Sequence, residues 1–148
     1  MTMRGERLAT AESVTAGHLQ SALSLAPRAM NFFEGGVTTY NLKQKSAILS
    51  VNVNIAGPVD CVSQDVSIEM AKHVARLFDC DWGIAATGYA SPVPEKNIKE
   101  LFACYAFYNR RGFTDSGKIL APQASPLQVT IYYTNEILAR FLARLLQK

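Results

Sequence analysis

The sequence is short of the residues that staple small proteins. It has three cysteines, Cys61, Cys80 and Cys104, with no C-x-x-C pair, and its two histidines, His18 and His73, lie near none of them in sequence. This spacing fits no common zinc framework, and an odd number of scattered thiols argues against a disulfide scaffold. Buried free thiols in a reducing cytoplasm are expected instead. No apolar run approaches the roughly 20 residues that a membrane helix needs. The segment Met1–Arg7 lacks the apolar core of a signal peptide. Charge bias is also weak: 15 basic against 12 acidic residues leave a net charge of +3, and Arg110–Arg111 is the one adjacent basic pair. A phosphate-backbone footprint would be a clustered basic stripe. The expected setting is therefore cytoplasmic, with neither a membrane nor nucleic acid as partner.

What is present is an ordinary globular composition, with 49% hydrophobic and 18% charged residues in a chain of 148. A chain of this length buries roughly two-thirds of its unfolded surface and needs no metal or disulfide to hold a core. One domain spanning residues 1–148 is expected.

Strand and helix patterns alternate along the chain. Arg7–Ala11 reads as a short strand running into a helix over Glu12–Ser24, with Thr10 as a possible N-cap. Gly35–Tyr40 reads as a second strand, rich in Val, Thr and Tyr. Asn41 and Gln44 form a capping-box pattern ahead of a short helix to about Leu49, with Lys45 in its early turns. Val51–Val62, with Gly57–Pro58, reads as a loop. Ser63 opens an amphipathic helix with Val66, Met70, Val74 and Leu77 as its apolar stripe, and His73 on its exposed side. Trp82–Ala86 and Leu101–Tyr108 are apolar enough for buried strands. Arg110–Gly112 is a turn, and Lys118–Ala121 suits another strand. Ser125–Pro126–Leu127–Gln128 carries the N-cap, proline and glutamine of a helix start. This order predicts an α/β fold: a three-layer α/β/α sandwich on a mixed, mostly parallel sheet.

Three strand-to-helix transitions, at Thr10–Gly17, Thr39–Lys45 and Ala86–Pro92, fall where α/β sheets bind ligands, beyond the carboxyl ends of strands. Helix N-termini there offer free N–H groups. Each residue taken alone has a bland reading. Ser13 is then a first-turn residue, Lys45 a solvated lysine and Tyr40 a half-buried strand aromatic. His18 has no assigned role, and Glu12 serves the helix dipole or a cap.

The motifs in order are more specific. Thr10–Ala11–Glu12–Ser13–Val14–Thr15–Ala16–Gly17 resembles the T-A-E-S-x-T-G-G signature of the CinA C-terminal family. Phe33–Glu34–Gly35–Gly36–Val37–Thr38–Thr39–Tyr40–Asn41 with Lys45 resembles its F-E-G-G-x-x-x-Y-x-x-x-x-K segment. Val62–Ser63 with Met70–Ala71 and Thr87–Gly88–Tyr89–Ala90–Ser91–Pro92 resemble its later V-S…M-A and T-G-I-A-G-P elements. The resemblance covers roughly the first hundred residues. It implies a nicotinamide-nucleotide amidase of the pyridine nucleotide cycle, which turns nicotinamide mononucleotide into nicotinate mononucleotide and ammonia. Ser13 would be the nucleophile, Lys45 its base and Tyr40 a bridging or orienting group, with backbone N–H groups near Ser13–Gly17 as oxyanion donors. Thr15, Gly17, Thr87 and Gly88 would hold the nucleotide. No cofactor or metal is implied, and a homo-oligomer is expected.

The departures fall on the loops that would cradle a substrate. Ala16 stands in place of a glycine, where a methyl group resists positive φ. Ser91 stands in place of another, Pro94 removes a backbone donor, and Ala121–Thr130 lacks the arginines of the family's G-x-R-x-x-x-R pattern. The alternative reading is thus a paralogue that binds a nucleotide or a protein without turnover.

Overall fold

The computed structural model describes Met1 and residues 4–147. Among these, five strands form one sheet in the order β2-β1-β3-β4-β5. They are β1 (Leu8–Glu12), β2 (Phe33–Thr38), β3 (Trp82–Gly88), β4 (Phe102–Asn109) and β5 (Phe113–Leu120). One face carries α1 (His18–Ser24) and α5 (Pro126–Leu146), and the other α2 (Leu42–Leu49), α3 (Val53–Ala56) and α4 (Gln64–Leu77). The three-layer α/β/α sandwich is as expected.

Strand alternation decides which layer goes where. Leu8, Trp82, Ile84, Tyr105 and Phe107 point toward α1 and α5, where Val129, Tyr133, Ile137 and Phe141 meet them. The opposite pleat carries Ala9, Ala11, Ala85 and Ala106 against Val66, Met70, Ala71 and Val74 of α4. A period of two puts large side chains on one face and small ones on the other. The small face lets α4 approach closely. A Cβ on Gly83 would stand 1.9 Å from the Ala71 carbonyl oxygen, so this position admits only glycine without a shift of backbone.

The sheet is mixed, but it is not mostly parallel. β1 pairs in parallel with β2 and with β3 over five residue pairs each. The antiparallel ladders are longer, with seven pairs between β3 and β4 and eight between β4 and β5. The sequence shows only the end of β5, because Asp115, Ser116 and Gly117 interrupt its apolar alternation.

Other boundaries differ for physical reasons. Glu12 ends β1 instead of opening a helix, and α1 begins only at His18. Thr10 is a strand residue and caps nothing. The segment Val51–Val62 is not a plain loop: it holds α3 and a 3-10 turn at Gly57–Val59. Leu77 is 53% exposed at the end of α4, outside the buried stripe. His73 is half-buried, with Nδ1 bonded to the Leu49 carbonyl. The capping box at Ser125 and Gln128 forms completely, with Pro126 in the first turn. Cys61, Cys80 and Cys104 are free and buried.

Candidate active site at the ends of β1 and β3

The Ser13 region begins with Glu12. Its carboxylate is buried and accepts backbone N–H groups from Gly17 at 2.9 Å, Leu19 at 3.0 Å and Gln20 at 2.9 Å. One side chain thereby satisfies the open N-terminus of α1 and places its charge at the positive end of the helix. The chain between, residues 13–17, is a tight loop, with Ala16 at φ 47° and Gly17 at φ 98°. Ala16 adopts the left-handed conformation that the family's glycine would favour. The methyl group does not prevent it, at a cost of roughly 1 kcal/mol.

Ser13 is 6% exposed and Lys45 only 1%. Lys45 Nζ donates to Ser13 Oγ at 2.9 Å and to the Thr39 carbonyl at 2.8 Å. Asn41 starts α2 by accepting the Gln44 N–H at 3.0 Å, which fixes the helix that carries Lys45 inward. Among the described residues, no carboxylate lies within ion-pair distance of the Lys45 ammonium. Burial without a counter-ion holds its pKa below the ordinary lysine value, although the nearby Cys61 and Asp60 oppose this. The same 2.9 Å contact serves both protonation states, since a neutral amine accepts a proton from the Ser13 hydroxyl.

A cavity of about 600 Å³ opens beside this pair, lined by Ser13, Lys45, Tyr40, Thr87 and Gly88, among others. Of the residues expected to hold a substrate, Thr87 and Gly88 line this cavity. Thr87 Oγ1 is already donating to the Cys61 carbonyl at 2.8 Å, so it ties the wall together. Thr15 and Gly17 do not line the cavity. Thr15 is fully buried and the Gly17 N–H is spent on Glu12. Tyr40 stands at the cavity but is 74% exposed, and its hydroxyl makes no hydrogen bond to Ser13 or Lys45. The expected bridging contact is absent from this arrangement.

Sequence reasoning assigned no role to a second group in the same cavity. Asp60 receives Lys96 Nζ at 2.6 Å and the Tyr89 hydroxyl at 2.9 Å. Asp60 and Cys61 are consecutive non-glycine residues at positive φ, 51° and 63°. The hydrogen bond from Lys96 chiefly, and that from Tyr89, hold the Asp60 carboxyl below its usual range. Burial first, then the bond to Asp60, pushes the Tyr89 phenol up to about 12. Burial pushes the Cys61 thiol up. Asp60 follows a Gly-Pro turn and Lys96 a charged loop, so no local pattern marks their meeting. Among the described residues, no cluster of three or more His, Cys, Asp or Glu side chains is arranged to hold a metal ion, and no helix is long and apolar enough to cross a membrane.

The fold and site define an α/β/α sandwich with a buried serine–lysine pair at the carboxyl edge of a mixed sheet. The chain belongs to the CinA C-terminal domain family, whose model it matches over residues 1–114. A CinA-like protein of Synechococcus sp. (strain CC9902) is 40% identical over 109 residues, which are 73% of this chain and 26% of that protein. One from Trichodesmium erythraeum is 40% identical over 101 residues, covering 68% of this chain and 24% of the relative. The chain thus spans about a quarter of the length of these curated relatives. A crystal structure titled as the competence damage-inducible protein A from Klebsiella pneumoniae superposes with a TM-score of 0.91 at 28% identity, covering 99% of this chain and 90% of that one. A CinA superfamily protein from Escherichia coli gives 0.88 at 30% identity, covering 95% and 81%.

Proposed function

We propose that the chain is an amidohydrolase of the nicotinamide-nucleotide amidase type, acting on a heteroaromatic carboxamide. The observation that carries this reading is the buried 2.9 Å contact between Lys45 Nζ and Ser13 Oγ at a cavity. A serine hydroxyl needs a base beside it, and a lysine held below its ordinary pKa is such a base. In the first step Ser13 Oγ bonds to the carboxamide carbon and its proton passes to Lys45 Nζ. The tetrahedral intermediate collapses as the C–N bond breaks, with Lys45 returning the proton to the departing ammonia. Water then adds to the acyl-serine as Lys45 takes one of its protons, and Lys45 returns that proton to Ser13 Oγ as the C–O bond to Ser13 breaks; the acid so released ionises to a carboxylate.

Backbone groups support the oxyanion role. The Ser13 N–H is held by the Ala86 carbonyl, the Ala16 N–H by the Ser13 carbonyl and the Gly17 N–H by Glu12. Val14 and Thr15, directly after the nucleophile, have backbone N–H groups with no partner among the described residues, and Val14 lines the cavity. The position of Tyr40 favours contact with a substrate ring over contact with the pair.

The test is ammonia release from nicotinamide mononucleotide and related pyridine carboxamides. Ser13→Ala should abolish it, and Lys45→Met should lower kcat/KM by roughly 10²–10⁴-fold, the scale of a lost general base. No ammonia from any of these carboxamides at high enzyme concentration would overturn the reading.

A further inference from the structure

Tyr89, Ala90, Ser91, Val93 and Lys96 form one wall of the cavity. They lie on a strap between β3 and β4 that packing does not hold, since every residue from 91 to 100 is exposed or half-buried. Such a segment opens readily unless polar contacts fix it. At its base the Tyr89 N–H donates to the Phe102 carbonyl at 2.9 Å, and the Tyr89 carbonyl accepts the Tyr133 hydroxyl at 2.9 Å. Its tip closes on itself, with Val93 and Ile98 exchanging backbone hydrogen bonds at 2.9 and 3.1 Å. Among the described residues, one polar contact ties residues 91–98 to another element: Lys96 Nζ to Asp60 Oδ1 at 2.6 Å.

The turn that carries Asp60 is built to hold it in place. Asp60 and Cys61 stand in the left-handed region in succession, at φ 51° and 63°. Two such residues without a glycine persist only where their surroundings fix them. Their N–H groups donate to the Gly57 and Ala56 carbonyls at 3.2 and 2.8 Å, and the Cys61 carbonyl accepts Thr87 Oγ1 at 2.8 Å. The turn is thereby anchored to the end of β3. From it the Asp60 carboxylate receives the tip of the strap through Lys96 and its base through the Tyr89 hydroxyl, at 2.9 Å. Tyr89 stands where the resembled T-G-I-A-G-P element has isoleucine, so the hydroxyl that makes half of this fastening does not come from that motif.

We propose that Asp60 is a positioning residue that fastens the 89–98 strap as a fixed wall of the cavity, so that the site stands preformed before a ligand enters. Asp60 acts through Lys96 and Tyr89, not on the reacting carboxamide. A carboxylate suits this task, because each oxygen takes a donor from a different part of the strap. The consequence for catalysis rests on the amidase reading; the fastening itself does not.

Two readouts separate these parts. The first needs no substrate: trypsin cleavage after Lys96 or Lys99, followed by mass spectrometry, tracks the population in which the strap is open. Asp60→Asn keeps the side-chain shape and tolerates the left-handed backbone, but it removes the charge and one acceptor. Cleavage at the strap should rise about three- to tenfold, the scale of one weakened hydrogen bond to a charged group, with the urea midpoint of the whole protein unmoved. Tyr89→Phe keeps the ring against Phe102 and removes only the hydroxyl. It should give a smaller rise, and it stands in for Asp60→Asn should that variant not fold. The second readout is ammonia release from nicotinamide mononucleotide. In Asp60→Asn protein kcat/KM should fall about three- to tenfold, with KM rising by more than kcat falls, because the Ser13–Lys45 contact is untouched. Unchanged strap cleavage in the folded variants overturns the fastening. Faster cleavage throughout the chain with a lower urea midpoint overturns it too, because Asp60 would then hold the fold and not the strap. A loosened strap with KM unchanged overturns the positioning role. A loosened strap with no ammonia release from the unaltered protein would sink the amidase reading and leave the fastening standing.

Discussion

Lys45 is the residue whose environment departs furthest from what its type suggests. A lysine is ordinarily solvated, yet this one is fully buried with a serine hydroxyl and a carbonyl as its partners. Its folded pKa lies below the ordinary 10.5, so the unfolded chain holds the proton more tightly. Stability should therefore rise with pH between the folded and unfolded values, and the full penalty should apply below the folded one. Parallel urea unfolding of the parent and Lys45→Met proteins should show the gap between them narrowing as pH rises toward 10.5. The rate profile should follow the same group: kcat/KM should climb along a limb whose midpoint is below 10.5. Ala16 offers a second residue-scale test, because it holds φ 47° without being glycine. Ala16→Gly should raise stability by roughly 1 kcal/mol and Tm by about 2–4 °C. An unchanged or lower Tm would mean that the unfolded-state entropy of glycine cancels the relief.

At the scale of elements, the close seat of α4 on the sheet is the feature most sensitive to a single atom. The small pleat of Ala9, Ala11, Gly83, Ala85 and Ala106 admits the helix, and Ala71 of α4 lies directly over Gly83. Gly83→Ala would press a methyl group against backbone, which cannot step aside as a side chain can. Stability should fall by about 3 kcal/mol or more, read as a lower urea midpoint or as loss of the folded protein. The same seat positions the cavity, since α4 follows the turn that carries Asp60 and Cys61 and the β3 end supplies Thr87 and Gly88. Thr87 joins the two through the Cys61 carbonyl.

For the whole molecule, the cavity is built from parts that meet only in the folded state: the end of β1, the start of α2, the 57–62 turn, the end of β3 and the start of α5. A ligand that fits it binds the native state and not the unfolded chain, and so stabilises all of these together. At a hundred times its Kd, a carboxamide ligand should add about 2.7 kcal/mol. This corresponds to a Tm rise of roughly 5–10 °C for a chain of this size, measured by thermal scans of the Ser13→Ala protein with nicotinamide mononucleotide.

The sequence by itself determined the layered α/β plan, the caps at Asn41, Ser63 and Ser125, and the family motifs around Ser13 and Lys45. These are local signals: periodicity, helix-start chemistry and ordered short patterns survive in a string of letters. The tertiary structure decided the rest. It made Glu12 a strand end that caps a helix from outside, lengthened β5 through a polar stretch, buried Lys45 while leaving Tyr40 exposed, and kept Thr15 and Gly17 off the cavity. It also brought Asp60, Tyr89 and Lys96 together from separate loops. Burial and long-range pairing depend on how layers close over one another, and a charge neutralised by a residue dozens of positions away leaves no mark in its own neighbourhood of the chain.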